Sequence, residues 1–369
     1  MIANDVKLVL EDGTELSGNG FGAGANVAGE VVFNTAMSGY IETFTDPSYR
    51  GQILVCTFPL IGNYGVPLPR PDSDISPPYE SSQLQIQGLV VQNLTSDYSH
   101  HKATRSLGSW LKSEGVPGVS NIDTRTLTRR LREHGTMRGW IFDARLSLGE
   151  AKSLSASVDM RTEVFRAVAP QAVTRHGGGG HTILLIDVGA KDNIVRSLTS
   201  RGASVIRAPW HADLIELSAK ADGILIGNGP GDPGDLDVLV NQLTTLMGTF
   251  DGPIFGICLG NQILARAAGA STFKLPYGHR SVNQPVQDLL TRRCFITSQN
   301  HGYAVDEKTL PGDWEPWFVN INDGTNEGIR CRGKPFFSVQ FHPEARPGPE
   351  DTGYLFDDFL RLVGALAKG

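Results

Sequence analysis

The sequence lacks any hydrophobic run long enough to cross a membrane. Its longest apolar stretches, residues 182–186 and 223–226, have the length of a strand, whereas a membrane-spanning helix needs roughly 20 apolar residues. The first residues, MIANDVKLVLEDG, contain neither the apolar centre of a signal peptide nor the Arg-rich pattern of a transit peptide. We therefore expect a cytoplasmic protein that does not insert into a membrane.

Cysteine is also scarce, with 4 in 369 residues. Cys56, Cys258, Cys294 and Cys331 form neither a CxxC pair nor a Cys/His spacing typical of a metal site, and a Walker A loop for ATP is absent. So few cysteines in so long a chain do not make a disulfide framework, which favours a reducing compartment. We expect no metal ion and no cofactor in this chain.

Basic residues are not in excess. The 33 Lys and Arg against 39 Asp and Glu leave a formal charge of −6, whereas a protein that binds nucleic acid usually presents a basic surface. With 40% hydrophobic and 20% charged residues, the composition is typical of a folded protein. A length of 369 residues predicts about two domains.

The two halves of the chain differ in pattern. Residues 1–146 combine β-rich runs and turns with helices, which predicts an α+β domain with a β-rich core. Residues 147–180 are largely small and polar and end in Gly177–Gly180, so we interpret them as a flexible linker; an ordered glycine-rich turn is the alternative. The predicted elements of the first half are a hairpin at 6–10 and 14–17, strands at 29–35 and 52–58, and helices at 106–113 and 124–134.

Residues 181–369 alternate between predicted strands and helices. This alternation predicts an α/β domain with a mostly parallel sheet flanked by helices. The alternating strands are predicted at 182–188, 204–207, 223–227 and 253–257, and the helices at 193–200, 214–220, 235–247 and 261–268. Hairpin strands are predicted later at 294–298, 303–305, 318–322 and 328–331, followed by a strand at 336–341 and a helix at 354–366.

The sharpest local signal is Gly256-Ile257-Cys258-Leu259-Gly260, at the junction of a buried strand and a helix. A nucleophile between two glycines at such a junction is typical of a nucleophile elbow, since glycine permits the tight turn and the close packing of the helix. The helix N-terminus favours a negative charge on the sulfur, and the Leu259 amide is available to an oxyanion. The alternative is a buried structural cysteine.

A thiolate nucleophile needs a base, and His342 is the best-placed histidine. It follows the predicted strand 336–341, and Pro343 favours an extended conformation at His342. Residues two apart on an extended chain point the same way, so Glu344 is expected to lie beside the imidazole and orient it. A histidine at a strand end is more often structural, but the cysteine elbow favours the catalytic interpretation.

Two further segments follow predicted strands and are candidates for binding substrate. The loop 229–233, Gly-Pro-Gly-Asp-Pro, offers backbone amides, but Asp232 stands where a dinucleotide-binding pattern needs glycine, which argues against a phosphate site. The segment 298–303, Ser-Gln-Asn-His-Gly-Tyr, is polar and could line a pocket or form a plain hairpin turn.

Together these motifs resemble the class I glutamine amidotransferases, for which GICLG followed by FHPE is highly specific. Five segments resemble the small chain of carbamoyl-phosphate synthetase: NGPGDP at 228–233, GICLGNQ at 256–262, SQNHGYAV at 298–305, NEGI at 326–329 and SVQFHPE at 338–344. The first half is similar to the extra domain of that family in LEDGTELSG, GEVVFNT, TDPSY and DTRTLTRRLREHG. The resemblance covers nearly the whole chain.

The resemblance implies an enzyme that hydrolyses L-glutamine to glutamate and ammonia. The ammonia would pass through a tunnel to a large synthetase component, a separate subunit or a fused domain, which uses ATP and bicarbonate to make carbamoyl phosphate for arginine or pyrimidine synthesis. Two alternatives stay open: a non-catalytic regulatory subunit of the same fold, and a free-standing γ-glutamyl cysteine hydrolase.

Residue by residue, the resemblance assigns Cys258 as nucleophile, His342 as base and Glu344 as the acid that orients the base. The family usually has His at the position of Asn261; because Asn is favourable where a helix begins, we expect altered and not lost activity. The resemblance places on glutamine-contacting positions Ser48, from the N-terminal domain, and Gly229, Gly231, Leu259, Gln262, Asn300, Gly302 and Tyr303.

Overall fold

The chain folds as two units, Met1–Asp159 and Met160–Gly369. A computed structural model describes residues 5–69, 75 and 77–366. No helix within these residues combines the length and the apolar character that a membrane crossing requires.

A closed β-sheet forms the centre of the first unit. Its strands are β1 (Asp5–Leu10), β2 (Glu15–Gly22), β3 (Val27–Asn34), β4 (Gln52–Cys56), β6 (Gly88–Val90), β8 (Pro117–Ser120) and β9 (Met137–Asp143), while β5 (Leu60–Ile61) pairs separately with β7 (Asn93–Leu94). The order around the closed sheet is β1-β2-β8-β6-β4-β3-β9. The helices are α1 (Tyr40–Thr45), α2 (Leu107–Ser113), α3 (Thr124–His134) and α4 (Leu148–Leu154). The predicted α+β domain with a β-rich core is confirmed.

Helix α3 shows how local sequence sets an element of this unit. The side chain of Asp123 accepts a hydrogen bond from the Thr126 amide at 2.9 Å, which satisfies a donor that the first turn leaves free. The helix ends before Gly135, whose φ is 89°. Leu127 and Leu131, one turn apart, are both buried. The helix predicted at 124–134 is therefore confirmed residue for residue.

The segment predicted to be a linker, 147–180, contains ordered elements. It includes α4, then α5 (Glu163–Val168) and β10 (Thr174–His176). Ser147 and Glu150 form a reciprocal capping box, so α4 has a strong start signal in an otherwise polar stretch. Gly177 and Gly180 lie so close to the backbone of residues 202–203 that a Cβ would stand 2.6 and 2.4 Å from carbonyl oxygens. Gly177 and Gly180 are thus closely packed, whereas Gly178 and Gly179 have open space around them; these contacts favour the alternative interpretation, an ordered glycine-rich turn.

The second unit is built on a sheet of ten strands in the described residues. After β10 come β11 (Thr182–Asp187), β12 (Ser204–Pro209), β13 (Gly223–Ile226), β14 (Ile254–Ile257), β15 (Ser271–Asp288), β16 (Cys294–Asp306), β17 (Trp314–Asn320), β18 (Asn326–Cys331) and β19 (Phe336–Val339). The order is β10-β12-β11-β13-β14-β19-β18-β17-β15-β16. After α5 the helices are α6 (Asp192–Thr199), α7 (Leu214–Ser218), α8 (Asp237–Thr249), α9 (Leu259–Ala268) and α10 (Tyr354–Leu366).

The parallel part of this sheet positions the site. Strands β12, β11, β13, β14 and β19 are mutually parallel, and Ile183–Ile186 and Ile224–Ile226 are fully buried. The carboxyl ends of parallel strands meet at one edge of a sheet, where α/β proteins bind ligands. The segments that follow β11, β13, β14 and β19 therefore converge, as the alternation of strands and helices predicted.

The structure differs from the predictions beyond α9. The long strand β15 was not predicted, and residues 294–306 form one strand where two short strands with a loop between them were predicted. Residues 299–301 pair with 281–279 in antiparallel register, so the polar segment 298–303 is neither a loop nor a hairpin turn. The polar side chains of this segment gave no strand signal, and it forms a strand because it pairs with residues 279–281 of β15, which lie 18 to 22 positions earlier in the chain.

Candidate active site

Cys258 occupies the sharp turn between β14 and α9. Its φ of 56° and ψ of −104° lie in a region that non-glycine residues rarely adopt. A Cβ at Gly256 would stand 2.6 Å from the Gly260 carbonyl oxygen, and one at Gly260 would stand 2.2 Å from that of Ile226. Both flanking glycines are needed for this close approach, which confirms the predicted elbow geometry. Strain held at a buried nucleophile is typical of a functional site.

The thiol of Cys258 points towards strand β16. Its Sγ lies 3.6 Å from the Asn300 carbonyl oxygen, and its backbone amide donates to the Val339 carbonyl at 2.9 Å. The residue is buried, with 2% of its surface exposed. The nucleophile candidate is thus held between the end of β19 and the middle of β16.

His342 lies at the end of β19 and pairs with Glu344. Its Nδ1 is 2.6 Å from Glu344 Oε1, and its backbone amide donates to the Ser298 carbonyl at 2.9 Å. Nε2 is buried and has no hydrogen-bond partner in the described part of the chain. The charge of Cys258 nevertheless helps to raise the pKa of the His342 imidazole, which indicates that the two side chains lie close together. Catalytic hydrogen bonds often reach ideal geometry only when substrate binds. The structure therefore brings together the three predicted residues in the predicted order.

Lys191 and Asn193, at the start of α6, hold Glu344 and were missed by the sequence analysis. Lys191 Nζ lies 3.2 Å from Glu344 Oε1, and both side chains are buried. Lys191 also donates to the Ala345 carbonyl, and the Asn193 side chain donates to the Glu344 carbonyl. The available signal was the polar run 191–193, which begins four residues after the end of β11, at the sheet edge that carries Cys258.

A buried ionic network places Lys191. Asp187, at the end of β11, accepts hydrogen bonds from the amides of Gly189 and Ala190, each at 2.7 Å. The same carboxylate binds Arg207 at 2.5 Å, and the Lys191 amide donates to the Asn228 side chain at 2.9 Å. The turn that carries Lys191 is therefore fixed from both neighbouring strands.

The charges of this site shift the pKa values of His342 and Glu344 in opposite directions. Burial works to lower the pKa of His342, but the charges of Glu344 and Cys258 outweigh it and raise that pKa to about 10. Burial works to raise the pKa of Glu344, but Lys191 and His342 hold it well below its ordinary value. The pair therefore favours an ionised carboxylate beside a protonated imidazole.

We expect the stability of the protein to depend on the charge of His342. Because its pKa rises from 6.5 to about 10 on folding, its contribution is fully present below pH 6.5 and is lost as the pH rises towards 10. The free energy of unfolding of the wild type should fall by up to about 5 kcal/mol more than that of His342→Gln over this range, as measured by denaturant titration. His181→Gln, at a half-exposed histidine, is the control; an equal fall in His342→Gln would contradict the pairing.

Asn261 ties α9 to β19. It is the third residue of the helix, not the first, and its amide donates to the Gln340 side chain at 3.1 Å and accepts from Ser338 at 2.8 Å. Gln262 donates to the same Gln340 oxygen at 3.2 Å and to the Tyr303 carbonyl at 2.9 Å. The expectation that Asn261 serves at the helix start is wrong; Cys258 occupies that place, and Asn261 packs the nucleophile helix against the strand that ends at His342.

The other residues predicted to contact substrate lie in different surroundings. A Cβ at Gly229 would stand 2.9 Å from the Leu259 side chain, so this loop lies against the nucleophile helix, while Gly231 lies against Phe165 of α5. Gly302 lies beside the Arg280 guanidinium. Ser48 belongs to the first unit, in a 3-10 turn capped by Asp46. Their contacts with a substrate stay predictions.

Two stretches of the chain match known families. Residues 8–141 match the family described as carbamoyl-phosphate synthase small chain, CPSase domain, and residues 184–362 match glutamine amidotransferase class-I. The chain is 47% identical to the carbamoyl phosphate synthase arginine-specific small chain of Neurospora crassa, over 97% of this chain and 80% of that one. It is 45% identical to the multifunctional protein pyrABCN of Emericella nidulans over 96% of this chain, but spans 17% of that protein. For the multifunctional protein URA2 of Saccharomyces cerevisiae the identity is 46% over 97% of this chain, again 17% of that protein.

Proposed function

The chain belongs to the carbamoyl-phosphate synthase small-chain family, and from that premise we propose that it hydrolyses L-glutamine to glutamate and ammonia. The observation that carries the proposal is the buried series of Cys258 at a strained elbow, His342 beside it and Glu344 at 2.6 Å from the imidazole. A nucleophile, a base and a group that orients the base are what acyl transfer requires.

The first half of the reaction is the formation of a thioester. The Cys258 thiolate attacks the side-chain amide carbon of glutamine, and a carbon–sulfur bond forms as the carbonyl oxygen becomes an oxyanion. The carbon–nitrogen bond then breaks, and His342 gives its proton to the departing ammonia. Glu344 accepts from Nδ1 throughout, which leaves Nε2 as the nitrogen that transfers protons.

The second half is hydrolysis of the thioester. His342, now neutral, takes a proton from water as the water oxygen attacks the thioester carbon; the carbon–sulfur bond breaks, and glutamate and the Cys258 thiolate are released. The Leu259 amide lies in the first turn of α9, where amides have no partner within the helix, and the loop at Gly229 lies against Leu259. These amides are our candidate oxyanion donors; Pro230 has none to offer.

We propose that the ammonia is used by a synthetase component that consumes ATP and bicarbonate, present as a separate subunit or in a fused chain. The relatives include a protein named as a small chain and much longer proteins named as multifunctional. The cysteines described in the structure, including Cys258, are all free thiols, which favours a reducing compartment such as the cytoplasm.

We expect the isolated chain to hydrolyse glutamine slowly and the synthetase component to accelerate it. A partner accelerates the reaction only if it binds the competent arrangement of the site more tightly than the idle one, and couplings of this kind amount to roughly 5–150-fold. The measurement is glutamate release during titration with the synthetase component, with ATP and bicarbonate present. The Cys258→Ser variant of the chain, titrated in parallel, controls for glutaminase activity of the partner itself.

The same titration separates the two alternatives. Glutamate release that stays at background at every partner concentration would favour a non-catalytic subunit of this fold. Rapid release by the isolated chain, unchanged by the partner and extending to γ-glutamyl peptides, would favour a free-standing hydrolase. A substantial rate of glutamate release that does not change with partner concentration, and that is limited to glutamine as substrate, would show that the site is preformed. The prediction of coupling would then be wrong.

A further inference from the structure

Three buried side chains that the proposed reaction does not use converge behind the Cys258 site. His279 of β15, His301 of β16 and Glu327 of β18 each offer one ligand atom, and these atoms all lie within 4.8 Å of one another. None of the three residues exposes more than 8% of its surface. The cluster thus joins three strands of the second unit, and two imidazoles with one carboxylate form a donor set typical of divalent transition metals.

The two carboxylate oxygens of Glu327 have different surroundings. Its Oε1 accepts a hydrogen bond from the Asn320 side chain at 2.8 Å and lies 3.5 Å from His279 Nδ1. Its Oε2 is buried and has no hydrogen-bond partner among residues 5–69, 75 and 77–366. A buried carboxylate oxygen without a partner is costly, so this atom is a candidate ligand in need of a cation.

In each histidine, the ring nitrogen that points away from the cluster has a hydrogen-bond partner, as in known metal sites; we call these the outer nitrogens. His279 Nε2 lies 2.8 Å from the Asp323 carboxylate, and His301 Nδ1 lies 2.9 Å from the Tyr303 carbonyl. Since both partners are acceptors, these two nitrogens carry the protons. Metal-binding histidines almost always donate their second N–H to a carboxylate or a backbone carbonyl, which fixes the ring and the tautomer.

When both imidazoles are neutral, the inner nitrogens, His279 Nδ1 and His301 Nε2, are the unprotonated ones and can bind a metal ion. His279 Nδ1 lies 3.5 Å from both Glu327 Oε1 and the Asn320 amide nitrogen, and His301 Nε2 lies 3.1 Å from Gln299 Oε1. The lone pair of an unprotonated His301 Nε2 and the Gln299 oxygen 3.1 Å away repel each other, unless a cation lies between them or the oxygen and nitrogen of the Gln299 amide are exchanged.

We propose that His279 Nδ1, His301 Nε2 and Glu327 Oε2 bind a divalent transition-metal ion, with zinc as the first candidate and Gln299 Oε1 or a water as the fourth ligand. The ion would join β15, β16 and β18, and its ligand His301 lies within the segment Asn300–Tyr303. Its role is structural, because none of its ligands is part of the Cys258, His342 and Glu344 series. The sequence shows no Cys/His spacing typical of a metal site, because these three ligands are brought together only by the pairing of strands in the sheet.

The competing occupant of the cluster is a proton. Burial works to lower the pKa of His279, but the carboxylates of Glu327 and Asp323 raise it, and an imidazolium at this position would pair with both of them. A metal and a proton on Nδ1 exclude each other, so the experiment needs a readout of the ion itself.

The test uses the full chain, stripped with a chelator, dialysed against zinc and measured by elemental analysis. We expect about one zinc per chain, and a tetrahedral absorption spectrum when cobalt replaces zinc. Glu327→Gln should lose the ion, and Asp323→Asn, at a half-exposed carboxylate that only orients His279, should bind it roughly 10–100-fold more weakly. His181→Gln should bind like the wild type. Circular dichroism confirms that each variant is folded.

Each other outcome overturns the proposal. A stripped wild type that takes up no zinc or cobalt would leave the proton as the occupant. Equal metal content in folded Glu327→Gln, or equal affinity in Asp323→Asn, would place the ion elsewhere. A thiolate-to-cobalt charge-transfer band would place it on a cysteine, since the proposed ligands contain no sulfur. Glutamine hydrolysis is not the readout, so failure here is separate from failure of the proposed reaction.

Discussion

Replacing Cys258 by serine is expected to abolish glutamine hydrolysis and to spare carbamoyl phosphate synthesis from free ammonia by the assembled enzyme. A serine hydroxyl is far less nucleophilic than a thiolate and stays protonated at neutral pH. Loss of a nucleophile in a comparable catalytic series costs about 10⁶-fold in kcat, so the glutaminase rate should fall to background. The ammonia-dependent reaction needs none of the residues in the Cys258 site and should continue.

Cys294→Ser is the matched control, because Cys294 is an exposed free thiol. It should leave both reactions unchanged. Glutamate release is measured with glutamine, and carbamoyl phosphate is measured with glutamine and with ammonium in parallel. Sustained glutamate release by Cys258→Ser would show that another residue is the nucleophile. Loss of the ammonia-dependent reaction would instead indicate that the substitution disturbs assembly.

The second large effect is expected at His342, with Glu344 the milder of the two. His342→Ala removes the group that moves every proton in the proposed reaction, whereas Glu344→Ala removes the carboxylate that orients it. Loss of an orienting carboxylate has cost up to about 10⁴-fold in a related series, so both variants should be severely impaired. The kcat of each variant, with partner present, decides the order, and a faster His342→Ala enzyme would reverse the assigned roles.

Lys191 complicates the interpretation of Glu344→Ala. Without Glu344, the buried ammonium of Lys191 keeps the Ala345 carbonyl but loses the carboxylate, and removal of one partner of a buried ion pair costs about 3–5 kcal/mol. Glu344→Gln keeps an oxygen beside His342 Nδ1 and removes only the charge. We therefore expect Glu344→Gln to be more active and more stable than Glu344→Ala, which denaturant unfolding measured beside kcat would establish.

Local patterns predicted the elements whose signals lie within a few residues. The alternation of β-branched runs and helices identified β11 to α9, and the cap at Asp123 with the stop at Gly135 gave α3 its bounds. The spacing of Gly256, Cys258 and Gly260 identified the elbow, because no other residue type leaves room for the neighbouring backbone. These signals depend on backbone conformation and local side-chain hydrogen bonds, which are properties of the residues themselves.

The errors fall where the determining partner is distant in sequence. Strand β16 has a polar sequence at residues 298–303 and is a strand only because β15 pairs with it. The composition of segment 147–180 predicts a flexible linker, but the capping box of Ser147 starts a helix there. Gly177 and Gly180 lie in close contact with the backbone of residues 202–203. Composition reports the average environment of a segment, not the partner that it meets.

By itself, the sequence determined the α/β alternation and indicated Cys258, His342 and Glu344 as the candidate nucleophile, base and orienting acid, since these depend on short motifs and on the rule that parallel strand ends meet at one edge. Only the tertiary structure decided that Lys191 lies against Glu344, that Asn261 ties α9 to β19 and that His279 of β15 lies near His301 of β16. A buried charge or amide needs a partner at hydrogen-bond distance. That partner is 44 positions away for His279 and Asp323, and Lys191 and Glu344 lie still farther apart in the sequence. Such pairings arise when strands from separate parts of the chain come together, which no single segment encodes.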